Sequence, residues 1–282
     1  MSTELNDLFE QFIRERKYLH NLTEGTLAHY REVYRFFTDV GFDGSKKSLQ
    51  ESIIKFRERG TSVGAINTYA RGLNVFLKWL HKEHGWDDLS LQKLRVEKRI
   101  FRSLTDEQLK TIISYKPKSF SQLRVWTLTM VALDTGARVN ELLTLERKKV
   151  DFDNLLITVI GKGNKERMIP FSYELRKVFW KFMRSHSFEL VFGTRQGALA
   201  NYDNLLRDFY VMERKLGIKT DGAFHSLRRT FATNYIRHGG NPLVLQRLLG
   251  HSTLTQTSAY VKLVTDDLQV EQHRTSLLNR LR

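Results

Sequence analysis

Through the first part of the chain, apolar residues recur at three- and four-residue intervals. Leu27, Tyr30, Val33, Tyr34 and Phe37 form one such stripe, preceded by Thr23 and Thr26, either of which can cap a helix start. Val63, Ile66, Leu73, Phe76, Leu77 and Leu80 form a longer stripe behind Thr61 and Ser62. Both stripes predict helices with apolar faces turned to a core, leaving Lys55, Arg57, Arg59, Arg71 and Lys78 on the polar sides. Gly85-Trp86-Asp87-Asp88 closes this helical block.

The pattern then changes twice. Residues 91–104 show little apolar periodicity and carry Lys93, Arg95, Lys98, Arg99 and Arg102, which predicts a basic connector between two domains. Thr105-Asp106-Glu107-Gln108 opens a helix. Further on, Leu155–Ile160 is a β-rich run, Gly161–Lys165 a turn and Arg167–Pro170 a second short strand, so the spacing predicts a hairpin with Lys162 at its turn. Helices resume afterwards. Arg228 falls in the first turn of one that stops at Gly239-Gly240, and Asn241-Pro242 starts another that ends at Gly250. Leu268, Leu277, Leu278 and Leu281 predict a terminal helix. The expected fold is mostly α with a small β-sheet: an all-helical domain over residues 1–90, a basic linker over 91–104, and a mixed α+β domain over 105–282 ending in a helical tail.

Composition adds the nature of the partner. The 282 residues carry 46 Lys+Arg against 31 Asp+Glu, a net charge of +15. Residues 1–100 hold 17 basic and 14 acidic residues, which leaves 29 against 17 for the rest, so the excess belongs to the second domain. A basic surface of this size fits a phosphate-backbone binder with steep salt dependence. The absence of cysteine excludes disulfides and thiolate metal sites. No apolar run approaches a membrane span, and the acidic Met1–Asp7 segment lacks a signal region, so a cytoplasmic protein is expected.

Candidate chemistry lies in five short segments. These are Thr135-Gly136-Ala137-Arg138, Gly161-Lys162-Gly163, His225-Ser226-Leu227-Arg228, Leu248-Leu249-Gly250-His251 and Tyr260. They supply cations, imidazoles and a phenol without a carboxylate cluster. Paired arginines suit a phosphodiester because each guanidinium is permanently charged and donates to two oxygens at once. Arg138 precedes a helical run, where the helix N-terminus also favours an anion. A tyrosine hydroxyl has an ordinary pKa of about 10 and needs such cations to act as a nucleophile. His225 or a neighbour could accept its proton, and Lys162 could protonate a departing 5′-oxygen.

The order and spacing of these segments resemble the tyrosine recombinase (phage integrase) family across residues 104–265. Thr135-Gly-Ala-Arg138-Val-Asn-Glu141 resembles its first arginine box and Gly161-Lys162-Gly-Asn-Lys165 its hairpin lysine. His225-Ser-Leu-Arg228 resembles the second box, and His251 with Tyr260 its closing histidine and nucleophile. The resemblance implies catalytic roles for Arg138, Lys162, His225, Arg228, His251 and Tyr260, with Glu141 as an acidic support. It also implies contacts to DNA from Arg71, Lys78, Lys93, Arg95, Lys98, Arg99, Arg102, Lys165 and Arg229. Residues 1–90 would be a SAM-like core-binding domain. Double-stranded DNA would be the substrate, worked on by a homotetramer on two duplexes, alone or with a second recombinase or accessory protein. No cofactor, metal or membrane is implied, and the compact length resembles the Xer-type or transposon-encoded branch. A type IB topoisomerase and a non-catalytic DNA-binding protein on the same fold are the alternatives.

Overall fold

The computed structural model describes residues 2–96, 102–161, 165–251 and 253–262. Two compact units divide the chain at Arg99 and Ile100. The first holds α1 (Ser2–Tyr18), α2 (Glu24–Thr38), α3 (Lys46–Glu58) and α4 (Val63–His84). Thr23, Ser45 and Ser62 cap the last three, each hydroxyl accepting the amide three residues on. The predicted stripes face inward: Leu27, Val33 and Phe37 from α2 meet Ile66, Leu73, Phe76 and Leu80 from α4 in one core. Phe9 stacks on Tyr34 at 3.9 Å, and Phe36 lies against Phe56 at 3.9 Å and Tyr69 at 4.1 Å.

Beyond α4 the chain is strapped back onto this helix. Asn67 donates to Leu94 O at 2.9 Å and accepts from its amide at 2.8 Å. Asn74, two turns along the same helix, does the same for Leu91 at 2.9 and 2.8 Å. Leu91 and Leu94 pack on the first unit's core, so the segment with little apolar periodicity is anchored here at its beginning.

The second unit is built around α6 (Phe120–Thr135), which α8 (Tyr173–Arg184), α9 (Tyr202–Leu216) and α10 (Phe224–Arg237) surround. Because α6 is buried on nearly all sides, its threonines have no water to bond. Thr129 and Thr135 donate back to Val125 O and Val131 O, at 2.8 and 2.6 Å. Before it stands α5 (Asp106–Ile113), which starts where the sequence predicts, with a capping box between Thr105 and Gln108. After it come α7 (Val139–Leu143) and an antiparallel sheet of order β1 (Val150–Asp151), β2 (Leu156–Ile160), β3 (Glu166–Pro170). The hairpin falls where the sequence places it, with Val159 opposite Arg167 and Ile157 opposite Ile169. β1 is two residues long, too short to leave a periodic signal. The unit's described part closes with α11 (Pro242–Leu249) and α12 (Leu254–Lys262), which pack on each other and on α10. Leu268, Leu277, Leu278 and Leu281 lie outside the described residues.

Candidate active site

Five elements bring the site together: the α6–α7 turn, β3, the body of α10, the end of α11 and α12. The turn depends on Gly136, whose φ of +66° favours glycine and whose missing Cβ would strike Phe231 and come within 2.9 Å of Leu249. Arg138 follows as the N-cap residue of α7. Its amide donates to Glu141 Oε2 at 2.8 Å and its guanidinium to Glu141 Oε1 at 3.0 Å. The anion at this short helix's N-terminus is therefore the protein's own carboxylate. That corrects the expectation that the helix end serves the substrate: what Arg138 offers an incoming anion is its half-exposed guanidinium.

Arg228 is the fifth residue of α10, past the first turn where the sequence placed it, because the helix already begins at Phe224. It is 6% exposed. One terminal nitrogen donates to Gly136 O and the other to Leu249 O, both at 2.7 Å. Burial, followed by the nearby Arg138 charge, lowers its pKa to about 10. At neutral pH it stays charged.

Leu248 and Leu249 end α11, where backbone carbonyls lack intrahelical partners and the helix dipole is negative. Arg228 and Arg138 both reach Leu249 O, the latter at 3.3 Å, while Arg167 Nε reaches Leu248 O at 3.0 Å. Gly250, in the left-handed conformation, then turns the chain into His251.

The His251 ring shares a 2.9 Å hydrogen bond between Nδ1 and Thr257 Oγ1, and lies nearly parallel to the Tyr260 ring with centroids 6.3 Å apart. Burial, then the charges of Arg228, Arg138 and Arg167, lower the His251 pKa to about 4. It is a neutral imidazole at pH 7. Tyr260 packs beside Ala232, Leu245 and Leu249, within electrostatic reach of Arg228 and Arg229.

Five of the sequence-predicted residues thus converge: Arg138, Glu141, Arg228, His251 and Tyr260. His225 is exposed, one turn before Arg228 on the same helix. Ala223, which caps that helix, is buried with φ +45° and ψ −122°, a conformation an L residue adopts only under strain. Lys162 lies outside the described residues. Of the residues that flank it, Gly161 N donates to Lys165 O at 2.8 Å. A Cβ on Gly161 would sit 3.6 Å from Glu141 Oε1, so the chain leaves β2 beside the cluster.

Sequence reasoning missed Arg167. It shares the inner face of β3 with buried Ile169, and a cation on an inward face needs an acid there. Its terminal nitrogens meet Glu141 Oε1 at 2.7 Å and Oε2 at 2.8 Å. Burial raises the Glu141 pKa, but the Arg167 hydrogen bonds and then the Arg138 amide outweigh it, so the carboxyl titrates below its ordinary range.

Most of the described residues expected to touch DNA are exposed. Arg71 and Lys78 are exposed seven residues apart on α4, and Lys93, Arg95, Arg102 and Lys165 are exposed as well. Lys98 and Arg99 lie outside the described residues. Arg229 is partly buried and donates to Arg102 O and Asp221 O, both at 3.4 Å. Among the described residues no group of His, Asp or Glu is placed to hold a metal ion, and no helix is long and apolar enough to cross a membrane.

Residues 102–266 match the phage integrase family. The tyrosine recombinase XerA of Pyrococcus furiosus is 27% identical, over 93% of this chain and 92% of its own length. The tyrosine recombinase XerD of Yersinia pestis is 26% identical, over 95% of this chain and 97% of its own. Among solved structures, the Tn1549 transposon integrase in complex with transposon right end DNA superposes with a TM-score of 0.78. It is 21% identical and the match covers 98% of this chain and 99% of that one. A lambda integrase dimer bound to a COC′ core site gives 0.74 at 17% identity, over 90% and 94%.

Proposed function

The chain belongs to the phage integrase family of tyrosine recombinases, and from that membership and the cluster at the end of α11 we propose that it is a site-specific recombinase. It cuts and rejoins double-stranded DNA through a 3′-phosphotyrosine intermediate. The observation that carries the reading is the convergence of Arg138, Arg228 and His251 on the α11 terminus beside Tyr260.

In this reading the phosphate's non-bridging oxygens sit against Arg138 and Arg228. Preorganised charge of this kind is commonly the largest contribution to catalysis. Neutral His251, with Nδ1 engaged by Thr257, keeps Nε2 for one of the same oxygens. The Tyr260 oxygen attacks phosphorus as its proton passes to His225 or solvent. The bond to the 5′-oxygen breaks, and Lys162 supplies the proton that oxygen needs. The phosphodiester energy is kept in the phosphotyrosine, so a 5′-hydroxyl from another strand can reverse the step without ATP.

The first unit's exposed Arg71 and Lys78, and the basic residues Lys93, Arg95, Lys98, Arg99, Arg102 and Lys165, give the backbone contacts. Neighbouring integrases described with DNA support that substrate class. Exchange of strands through a Holliday junction calls for a tetramer on two duplexes, and such work places the protein at the nucleoid. A half-site duplex selected by binding from a randomised library, then built into nicked full sites and a supercoiled plasmid, tests the reading. Covalent adducts with exchanged strands are expected. Plasmid relaxation without exchange would mean a topoisomerase, and binding without adducts a non-catalytic protein.

A further inference from the structure

Glu141 accepts from two arginines at once, and their environments differ. Arg167 has 15% of its side chain exposed and Arg138 has 38%. Arg167 spends both terminal nitrogens on the carboxylate and its Nε on Leu248 O. Its stem lies over Gly250, where an added Cβ would meet the Arg167 Cδ, Nε and Cζ at 3.1 Å. All three of its guanidinium nitrogens are thus engaged by the protein. Arg138 instead gives Glu141 one guanidinium nitrogen, which also reaches Leu249 O. The remaining donors of its five-donor fork are left over.

A carboxylate with 5% of its side chain exposed cannot stay charged without strong partners. With Arg167 present, the two-point Arg–carboxylate pair is made by the more buried of the two arginines. Without it, Arg138 is the guanidinium already bonded to the carboxylate and free to complete a two-point pair. Resting on the recombinase reading above, we propose that Arg167 is a positioning residue: it neutralises Glu141 and so keeps the outer donors of Arg138 free for the scissile phosphate. Arg167 acts on the reaction through Glu141 and Arg138 and never touches the DNA. The two roles of the acid–base pair divide accordingly. Glu141 orients Arg138, and Arg167 prevents that orientation from becoming capture.

Charge removal distinguishes this from a purely structural role. Arg167→Gln leaves the Glu141 charge to Arg138 in place of Arg167. Arg167→Gln/Glu141→Gln removes the anion as well and leaves two amides able to bond each other. Single-turnover cleavage of a nicked full site is measured for both, normalised to the fraction of protein that binds a half-site duplex, so that unfolded material does not count. Arg167→Gln is expected to slow cleavage by about 100-fold, the scale of one lost charge-stabilising donor. The double variant should recover at least about tenfold of that loss, because no carboxylate remains to hold Arg138. Added to Arg138→Ala, Arg167→Gln should slow cleavage by less than about twofold, since its target is gone. A double variant no faster than Arg167→Gln, a normal rate in Arg167→Gln itself, or fully multiplicative losses with Arg138→Ala would each overturn the proposal. If the unaltered protein forms no adduct at all, the recombinase reading fails instead, which is a separate outcome.

Discussion

Replacing Arg228 by methionine removes a guanidinium that donates to Gly136 O and Leu249 O while keeping an unbranched apolar stem in its place. Hydrogen bonds from a charged donor contribute about 1.5–3 kcal/mol each, so losing two costs roughly 3–6 kcal/mol. Against this stands the cost of holding a charge there. Burial, then the neighbouring Arg138, lowers the pKa from the ordinary guanidinium value to about 10. At about 1.4 kcal/mol per unit, that environment disfavours the cation by roughly 3 kcal/mol. The two largely offset, leaving a net destabilisation of roughly 0–3 kcal/mol. Cleavage has no such offset, because the developing phosphate charge loses a fixed donor worth about 3–4 kcal/mol. Arg228→Met should therefore remain folded yet cleave at least about 100-fold more slowly. Stability is best read from hydrogen exchange of the α10 amides under increasing urea, since the two units need not unfold together. Cleavage is read on a nicked duplex. A loss of stability beyond about 5 kcal/mol would show that Arg228 is a scaffold residue first, and near-normal cleavage would remove it from the phosphate clamp.

His251 gives a pH signature. Its folded pKa of about 4 lies below the ordinary imidazole value of 6.5, so the unfolded chain takes up a proton that the folded protein refuses. Stability should fall as pH drops from 6.5 towards 4 and be unaffected by this group above 6.5. His251→Gln should flatten that slope in melting curves, and an imidazole NMR titration with a midpoint near 6.5 would contradict it. Asn67→Ala should orphan the Leu94 amide and carbonyl, at a cost of about 1–3 kcal/mol for each group left dry. Faster exchange at the Leu94 amide, with Tyr260 chemistry unchanged on a nicked duplex, is the expected result; unchanged exchange would mean the strap carries no load.

Much of this was legible from the chain. The stripes ending in Phe37 and Leu80 face the core they predict, and Thr23, Ser62 and Thr105 cap helices because a hydroxyl before an apolar run has an amide to accept. Arg138, Arg228, His251 and Tyr260 stand out by residue type and order, Glu141 only through the family resemblance, and the five are found together. What escaped notice had no local signal. Ala223 is an ordinary alanine in sequence, and only the packing of α10 shows the strained turn it makes. Asn67 and Asn74 look like polar positions of a helix until the returning chain supplies Leu91 and Leu94 as partners. Arg167 was visible as half of a strand, but its meaning depends on Glu141, 26 residues earlier. Arg228 moved inward because α10 starts at a residue with no capping side chain. Long-range partners, unlike periodicity and caps, are not written in neighbouring residues.

The central claim is that Tyr260 is the nucleophile, and the most direct test is to find the atom to which DNA becomes attached. The protein is incubated with a nicked site whose short 5′-hydroxyl fragment diffuses away after cleavage, then digested and mapped by mass spectrometry. The expected product is the peptide containing Tyr260 joined to a 3′-phosphate, in EDTA and without ATP, and absent from Tyr260→Phe although that variant still binds the duplex. An adduct on another residue, a 5′-phosphate linkage, or an adduct that persists in Tyr260→Phe would contradict it.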